Sequence, residues 1–339
     1  MHEACHYKKI LGEEKTAHCQ LCAQNCRIKD GHRGLCQVRE NRGGILYSLV
    51  YGRLVSENID PIEKKPIFHL LPGSLSYSIS TVGCNFRCLH CQNFGISQYP
   101  SQHKGEIPGR ERSPNDVVSA ARRDGCASIS YTYVEPTIFY EFALDTARLA
   151  HDHGIKNIFV SNGYTGTEAT KEIAPFLSAN NIDLKAFSDR FYKEVCGARI
   201  KPVLNTIRLM KELGVWVEVT TLIIPGWNDS DKELRDIADF IHSIDPDMPW
   251  HVTAFHPSYL MAERPPTPIA TLNKAREIGL AAGLKFVYSG NAPEIGGENT
   301  TCPNCGNSLI VRNGFNTKLT GLTGNTCAAC GTILPGIFS

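Results

Sequence analysis

Hydrophobic and polar positions follow one another along this chain in a pattern that predicts strands and helices in regular succession. Apolar or alternating runs typical of strands are separated by segments with the 3.6-residue period of amphipathic helices. Strands are predicted over 75–81, 128–134, 157–163, 181–187, 215–226, 250–257 and 285–291. Helices are predicted over 113–125, 139–153, 230–243 and 267–283, with further helical segments between 163 and 178 and between 188 and 214. Such alternation with short connections predicts an α/β fold of parallel βαβ units.

The same pattern divides the chain into three segments. Residues 1–72 form a cysteine-rich extension with short strands, in which 45–72 predicts two strands around a loop at Asp60-Pro61. Residues 73–291 carry the βα repeat, whose six or seven units are too few for a full eight-fold TIM barrel. Within this repeat, Ser113 and Asp116 predict a capping box at a helix start. Residues 292–339 form a separate terminal module.

Composition excludes some classes of function. The chain has 339 residues, with 35 Lys plus Arg against 34 Asp plus Glu, so its formal net charge is +1. A balanced charge does not predict binding to nucleic acid or to an anionic membrane. No apolar run is long enough for a membrane span, and the charged N-terminal stretch lacks the apolar core of a signal peptide. We therefore expect a cytoplasmic protein without a membrane partner.

The chain has fourteen cysteines, and their positions are more informative about function than its net charge. Eleven of them fall into three groups: Cys19, Cys22, Cys26 and Cys36; Cys84, Cys88 and Cys91; Cys302, Cys305, Cys327 and Cys330. The other three stand alone as Cys5, Cys126 and Cys196. We interpret Cys126 and Cys196 as small buried hydrophobic residues, and a reactive thiol near the site is the alternative for Cys196. Gaps of two residues between cysteines suit metal binding better than disulfide formation. Metal-binding cysteines without disulfides in turn favour a reducing compartment.

The central group, Cys84, Cys88 and Cys91, has the spacing C-x3-C-x2-C directly after a predicted strand. Three thiolates so close together can surround one soft-metal centre, such as an iron–sulfur cluster, zinc or Cu(I). No fourth cysteine follows soon, so one corner of the centre would stay open for a ligand. The alternative is a zinc knuckle with a distant fourth ligand such as His90.

The two flanking groups predict four-thiolate sites. The C-terminal group has the spacing C-x2-C…C-x2-C, which is typical of a zinc ribbon and, alternatively, of a rubredoxin-like iron site. The N-terminal group has the spacing C-x2-C-x3-C-x9-C, for which zinc is our first choice and an auxiliary [4Fe–4S] cluster the alternative.

Polar residues stand at the ends of the predicted strands, where parallel barrels bind their ligands. The candidates for a ligand-binding role are Glu135, Ser161, Asn162, Asp183, Lys185 and His256. Each also has a purely structural interpretation: a helix-start acid for Glu135, a polar turn for Ser161 and Asn162, an internal salt bridge for Asp183 and Lys185, and a structural imidazole for His256. Asp183 and Lys185 are two apart on a predicted strand and should face the same side.

The cysteine triad and the order of the later motifs resemble the radical S-adenosylmethionine (SAM) superfamily. The resemblance implies that the βα repeat forms a partial (β/α)6 barrel similar to a TIM barrel. It also implies a [4Fe–4S] cluster held by Cys84, Cys88 and Cys91, whose fourth iron chelates SAM. One electron would then split SAM into methionine and a 5′-deoxyadenosyl radical, which takes a hydrogen atom from the substrate. It also implies that the strand-end candidates contact SAM, although the usual Gly-Gly-Glu-Pro loop is here Tyr133-Val134-Glu135-Pro136.

Two narrower resemblances refine this prediction. The D-x-K pattern at Asp183 and the loop 223–229 are similar to the glycyl-radical activating enzymes, such as those of pyruvate formate-lyase, which implies flavodoxin or ferredoxin as electron donor and a protein substrate. The segments GHRGLCQVREN, DPIEKKPIFH, YVEPT and DLKAF, together with the terminal ribbon, resemble radical SAM enzymes of the AmmeMemoRadiSam system. That resemblance implies Memo-like and AMMECR-like partners.

The resulting hypothesis is a radical SAM oxidoreductase that abstracts hydrogen from a protein, a peptide or a small molecule. One alternative keeps the radical and changes the target to RNA or another macromolecule, which the balanced charge does not favour. The other alternative is a non-catalytic metal-binding scaffold.

Overall fold

The computed structural model describes residues 1–10, 15–292 and 296–338. The N-terminal extension consists of short antiparallel strands. They are β1 (His2–Glu3), β2 (Tyr7–Lys9), β3 (Ala17–Cys19), β4 (Arg27–Ile28), β5 (Arg39–Arg42), β6 (Ile45–Ser48) and β7 (Arg53–Leu54). They form two small three-stranded sheets, with the orders β1-β6-β5 and β2-β3-β4, while β7 pairs with a short strand further along the chain.

An eight-stranded sheet is the centre of the molecule. Its first strand is β8 (Ser56–Pro61), which is followed by β9 (Leu75–Ser80), β11 (Ser128–Tyr131), β12 (Lys156–Ser161), β13 (Ala179–Asp183), β14 (Trp216–Ile223), β15 (Trp250–Ala254) and β16 (Val287–Gly290). The remaining strand of this region, β10 (Arg110–Glu111), pairs with β7 outside the sheet. Strands β9 to β16 of the sheet pair in parallel and in chain order, whereas β8 pairs antiparallel with β9 at one edge. The α/β class with a parallel sheet is thus confirmed.

Helices connect the parallel strands. They are α1 (Phe94–Ser97), α2 (Tyr99–Gln102), α3 (Pro114–Arg123), α4 (Tyr140–Asp152), α5 (Thr167–Ile173), α6 (Asp189–Phe191), α7 (Ile200–Glu212), α8 (Asp231–Ile244) and α9 (Ile269–Ala281). The predicted capping box at Ser113 and Asp116 is present and begins α3. No helix in the described parts of the chain combines the length and the apolarity needed to cross a bilayer.

Two local predictions were wrong. Asp60 and Pro61 do not form a loop but end β8. Proline cannot donate to a ladder, yet an edge strand and a strand end both tolerate it, and Pro61 has both positions. The fourth parallel strand ends at Asp183, so Lys185 lies in the following loop rather than on the strand.

The amino ends of the parallel strands are closed by a segment that follows β8. Glu218 of β14 is fully buried and accepts hydrogen bonds from the backbone N–H groups of Phe68 and His69. Its Oε2 also contacts Nε2 of His251 at 2.6 Å. Because these groups satisfy one another, this end of the sheet is a packed core rather than an open site.

The C-terminal module packs against the same end. It contains β17 (Thr300–Thr301), β18 (Ser308–Asn313), β19 (Asn316–Leu319), β20 (Leu322–Thr323) and β21 (Thr326–Cys327). Its buried Leu309 and Ile310 join Phe68, Phe286 and Tyr288 in one apolar cluster. The module therefore lies at the end of the sheet opposite to the carboxyl ends of the strands.

Candidate functional site

The cysteine triad lies on the loop that joins β9 to α1. Cys88 is buried, and Cys84 and Cys91 are half-buried. Polar groups lie next to two of the sulfurs: the backbone N–H of Phe86 is 3.4 Å from Cys84 Sγ, and the hydroxyl of Ser97, at the end of α1, is 3.3 Å from Cys91 Sγ. Hydrogen bonds to sulfur are a regular feature of iron–sulfur sites, because they stabilise thiolate ligands.

A π-helical segment, Tyr192–Cys196, fixes this loop from one side. Its carbonyl groups at Val195 and Cys196 accept hydrogen bonds from the backbone N–H groups of Leu89 and Arg87, both 2.9 Å long. A hydrogen bond with the thiol of Cys196, followed in size by burial, raises the pKa of the Cys88 thiol. Cys196 is fully buried, as expected, but its contact with Cys88 could not be seen in the sequence.

Lys185 and Asp183 form an ion pair of 2.7 Å beside the triad. Burial alone would lower the pKa of Lys185, but attraction to Asp183 and then to Cys88 outweighs burial and raises that pKa. The ammonium group therefore stays charged close to the cysteines. The two side chains meet as predicted, although only Asp183 belongs to a strand, and the carboxylate is the more exposed partner.

His90, the alternative fourth ligand, is buried on the same loop. Its ring lies 6.2 Å from that of Phe191, and its Nδ1 has no hydrogen-bond partner within the described residues. Burial, with a smaller contribution from the charge of Lys185, lowers its pKa to about 3. The imidazole is therefore neutral at physiological pH.

Glu135, Ser161 and Asn162 converge at the ends of β11 and β12, but they bind one another. Oε1 of Glu135 accepts hydrogen bonds from the hydroxyl groups of Ser161 (2.9 Å) and Thr137 (2.6 Å). Oε2 accepts one from the backbone N–H of Asn162 at 2.7 Å. Glu135 also caps the 3₁₀ turn Pro136–Phe139, which is the helix-start role named above. Burial raises its pKa, while the bonds from Thr137 oppose that rise.

Tyr133 is the residue that sequence reasoning missed. Its φ of +64° lies in the left-handed region, which favours glycine. It stands where the common motif of the superfamily has glycine, so the unusual residue retains the backbone that glycine would adopt. The departure from the Gly-Gly-Glu-Pro pattern was the signal that could have identified it.

The side chain of Tyr133 connects the strand ends to a buried ion pair. Its hydroxyl donates to Asp60, which also binds Lys64 and Lys65. The ammonium of Lys65 lies 4.7 Å from the centre of the tyrosine ring. Burial lowers the pKa of Lys65 to about 8, and the hydrogen bond with Asp60 limits the decrease.

The last predicted positions lie at the ends of β14 and β15. Asn228 is fully buried and shapes its loop: its amide donates to the carbonyl groups of Lys185 (2.6 Å) and Leu222 (2.9 Å). His256 is exposed beyond the end of β15, with Nε2 3.3 Å from the carbonyl oxygen of Asn291. Among the hydrogen bonds of the described residues none joins His256 to the Glu135 network, and His256 is exposed whereas Glu135, Ser161 and Asn162 are buried.

The two flanking cysteine groups differ in geometry. In the C-terminal group all four sulfurs lie within 4.8 Å of one another, with Cys302 Sγ 3.6 Å from Cys330 Sγ and Cys305 Sγ 3.7 Å from Cys327 Sγ. Within residues 1–10, 15–292 and 296–338, no other set of three or more cysteine, histidine or acidic ligands is so compact. A tetrahedral zinc with Zn–S bonds of about 2.3 Å places its thiolates about 3.8 Å apart, so the C-terminal module is compatible with a zinc ribbon.

Known proteins are similar to this chain in its central segment and along nearly its whole length. A family model of the radical SAM superfamily matches residues 78–241. Uncharacterized protein MJ0808 of Methanocaldococcus jannaschii is 47% identical over 334 residues, which are 98% of each chain. The isethionate sulfite-lyase activating enzyme of Desulfovibrio desulfuricans is 24% identical over 186 residues, which are 51% of this chain and 60% of that enzyme.

The solved structures show a similar fold. A radical SAM methyltransferase from Sphaerobacter thermophilus superposes with a TM-score of 0.50 at 17% identity, covering 67% of this chain and 70% of that one. The segment that the family model matches, residues 78–241, contains the triad loop, the Glu135 network and the Asp183–Lys185 pair. Residues 78–241 therefore form a domain of the radical SAM superfamily.

Proposed function

We propose that this protein is a radical SAM enzyme related to the glycyl-radical activating enzymes, and that it abstracts hydrogen from a protein, a peptide or a small molecule. Cys84, Cys88 and Cys91 would hold a [4Fe–4S] cluster, with the sheet curved into a partial (β/α)6 barrel around the substrate. When bound, the cluster supplies the electron that cleaves SAM into methionine and a radical, which becomes 5′-deoxyadenosine on taking the hydrogen atom.

One observation supports this proposal above the others. Three thiols lie on the loop that follows the first parallel strand, at the carboxyl ends of the strands, with the charged pair Lys185–Asp183 beside them. Soft thiolates at this edge of a parallel sheet suit an iron–sulfur cluster. Strand ends of this kind are also where α/β proteins bind their ligands.

The residues around the triad would position SAM and substrate. Glu135 uses Oε1 for three protein donors and Oε2 for one, so Oε2 retains acceptor capacity for an ammonium group. Ser161 and Asn162 would hold this carboxylate in place as well as contact the ribose. Asp183, which is the more exposed member of its pair, would accept from a polar ligand while Lys185 neutralises its charge.

The likeness to activating enzymes supports a protein or peptide substrate and a one-electron donor such as flavodoxin or ferredoxin. Memo-like and AMMECR-like proteins are proposed partners because the segments GHRGLCQVREN, DPIEKKPIFH, YVEPT and DLKAF resemble radical SAM enzymes of the AmmeMemoRadiSam system. Co-purification of the tagged full chain with each candidate, under anaerobic conditions, tests the association separately from the chemistry.

The decisive experiment is anaerobic reconstitution with iron and sulfide, followed by dithionite and SAM. We expect 5′-deoxyadenosine from the wild-type protein and from Cys126→Ala, which changes a buried cysteine outside the three groups. We expect none from Cys88→Ser. A wild-type protein that is loaded with iron yet makes no 5′-deoxyadenosine, or zinc in place of iron at the triad, would overturn the proposal.

A further inference from the structure

We propose that Cys19, Cys22, Cys26 and Cys36 hold a second [4Fe–4S] cluster rather than zinc, and that this cluster is bound by four thiolates directly behind the SAM site. The inference concerns a separate group of residues from the triad. The identity of the metal is therefore independent of the proposed function, whereas the transfer of an electron to the triad cluster rests on it.

The four cysteines face a common pocket. It is lined by all of them and by a small number of apolar and polar residues, including Arg39, Asn85 and Thr137. Cys19 is buried, and the other three are half-buried. A shared, mostly apolar pocket with four sulfurs is the surrounding that an iron–sulfur cluster requires, because the protein must exclude water from the inorganic core.

The distances between the sulfur atoms distinguish a zinc site from a [4Fe–4S] site. A single zinc ion draws its four thiolates to about 3.8 Å from one another, and the C-terminal group has that compactness. In the N-terminal group no three sulfurs all lie within 4.8 Å of one another, and the same is true of Cys84, Cys88 and Cys91. A cubane spreads its ligands further, since each thiolate binds a different iron at a different corner. The N-terminal group therefore matches the triad and not the zinc-like group of the same chain.

Two buried N–H groups at this pocket also lack acceptors. Arg39 Nε and Asn85 Nδ2 have no hydrogen-bond partner among the described residues, although both side chains are at least 97% buried. The rest of each side chain is engaged, Arg39 with Glu141 and Asn85 with Asn162. Buried donors normally find a partner, and the sulfides and thiolates of a cluster are acceptors that would satisfy them.

The pocket adjoins the SAM site through short contacts. Gln24 donates to the carbonyl of Asn85 at 2.8 Å, and Asn85 is the residue after Cys84. On the other wall, Thr137 donates to Glu135 at 2.6 Å. Four cysteines leave no iron free for SAM, so this cluster would accept one electron from an external donor and be reoxidised when that electron passes to the triad cluster.

Metal counting on the anaerobic, reconstituted full chain tests the assignment. We expect about eight iron atoms and eight sulfides per chain, against about four of each for a single cluster. In the double variant Cys22→Ser/Cys36→Ser we expect the iron to fall to about four, while the triad still makes 5′-deoxyadenosine with dithionite. Cys305→Ser is the matched control, which should lose zinc and keep all the iron.

Spectroscopy of the wild-type protein keeps the test independent of variant folding. After reduction we expect two [4Fe–4S]⁺ signals, of which only one changes when SAM is added. Two zinc ions and about four iron atoms per chain would overturn the proposal, and so would a single signal that SAM shifts completely. If only the proposed function failed, the wild-type protein would make no 5′-deoxyadenosine but would still show one [4Fe–4S]⁺ signal that SAM does not change. That signal would be absent from Cys22→Ser/Cys36→Ser.

Discussion

The amide of Asn162 donates to Oδ1 of Asn85 at 2.7 Å, and both side chains are buried. This hydrogen bond joins residues 77 positions apart and connects the loop after β12 to the cysteine loop after β9. Asn162 also accepts from the backbone N–H of Tyr164 at 3.1 Å. The side chain of Asn162 therefore contacts both the cysteine loop and the loop after β12, and it holds the two loops together.

Asn162→Ala should disturb the triad loop. The change leaves the carbonyl of the Asn85 side chain buried without its donor, which costs about 1–3 kcal/mol. We expect a lower free energy of unfolding and weaker SAM binding, seen as a smaller SAM-induced change in the cluster EPR spectrum. The control is Asn115→Ala on the exposed side of α3, which should change neither quantity. Unchanged stability together with lost SAM binding would indicate a direct ligand instead of a positioning residue.

At position 133 a glycine substitution should be more stable than an alanine substitution, the reverse of the usual order. Because its φ is +64°, alanine carries a steric cost there that glycine avoids. We expect Tyr133→Gly to unfold at higher denaturant than Tyr133→Ala, with a difference of up to about 1 kcal/mol. At the exposed helical position Ser119 the same pair of substitutions should give the opposite order, with alanine more stable by about 0.5–1 kcal/mol. Equal or inverted results at Tyr133 would contradict the left-handed backbone.

The sequence predicted the elements better than the contacts between them. Strand ends that carry Glu135, Ser161 and Asp183 could be located because alternation and helical periodicity are local properties. The hydrogen bonds that Ser161 and Asn162 donate to the Glu135 carboxylate could not be predicted, since they join residues 26 and 27 positions apart. The same holds for Cys196, whose contact with Cys88 arises from packing of the π-helical segment onto the cysteine loop.

Other differences come from competition between local rules. Asp60-Pro61 has the composition of a turn, but pairing of β8 along β9 extends the strand to Pro61. The strand predicted to Phe187 ends at Asp183, because Asn228 binds the carbonyl of Lys185 and holds that segment in a loop. In both places a tertiary hydrogen-bonding pattern decides a boundary that propensity alone leaves open.

Stability should fall in mild acid because of His69. Burial lowers its pKa to about 4 from the ordinary 6.5, and attraction to Glu218 only partly opposes this. Between those values the unfolded chain binds a proton that the folded protein does not, so the free energy of unfolding decreases as the pH is lowered from about 6.5 to about 4. The full contribution is on the order of 3 kcal/mol.

Urea unfolding across this pH range measures the effect. His69→Gln should flatten the dependence, although it also weakens the protein at neutral pH by breaking the contacts of the ring with Pro335 and Tyr288. The exposed His103→Gln should leave the slope unchanged. A slope in the His69 variant equal to that of the wild type would assign the acid sensitivity to other groups, of which the buried His90 is the first to test.

The C-terminal cysteines should support the fold without taking part in the chemistry. Their module joins the apolar cluster around Phe68 and Tyr288 at the amino ends of the strands, whereas the triad loop follows the carboxyl end of β9. Cys305→Ser should remove one metal ion per chain and lower the free energy of unfolding by about 2 kcal/mol or more, because a structural zinc contributes folding energy directly.

At a temperature where this variant is still folded, its yield of 5′-deoxyadenosine per reconstituted triad should equal that of the wild type. Zinc analysis, thermal unfolding and product quantification on the same sample separate the two effects. Loss of product as complete as in Cys88→Ser, with the fold intact, would instead connect the module to electron delivery. That outcome would favour the rubredoxin-like iron site over zinc, since only a redox-active metal can pass an electron.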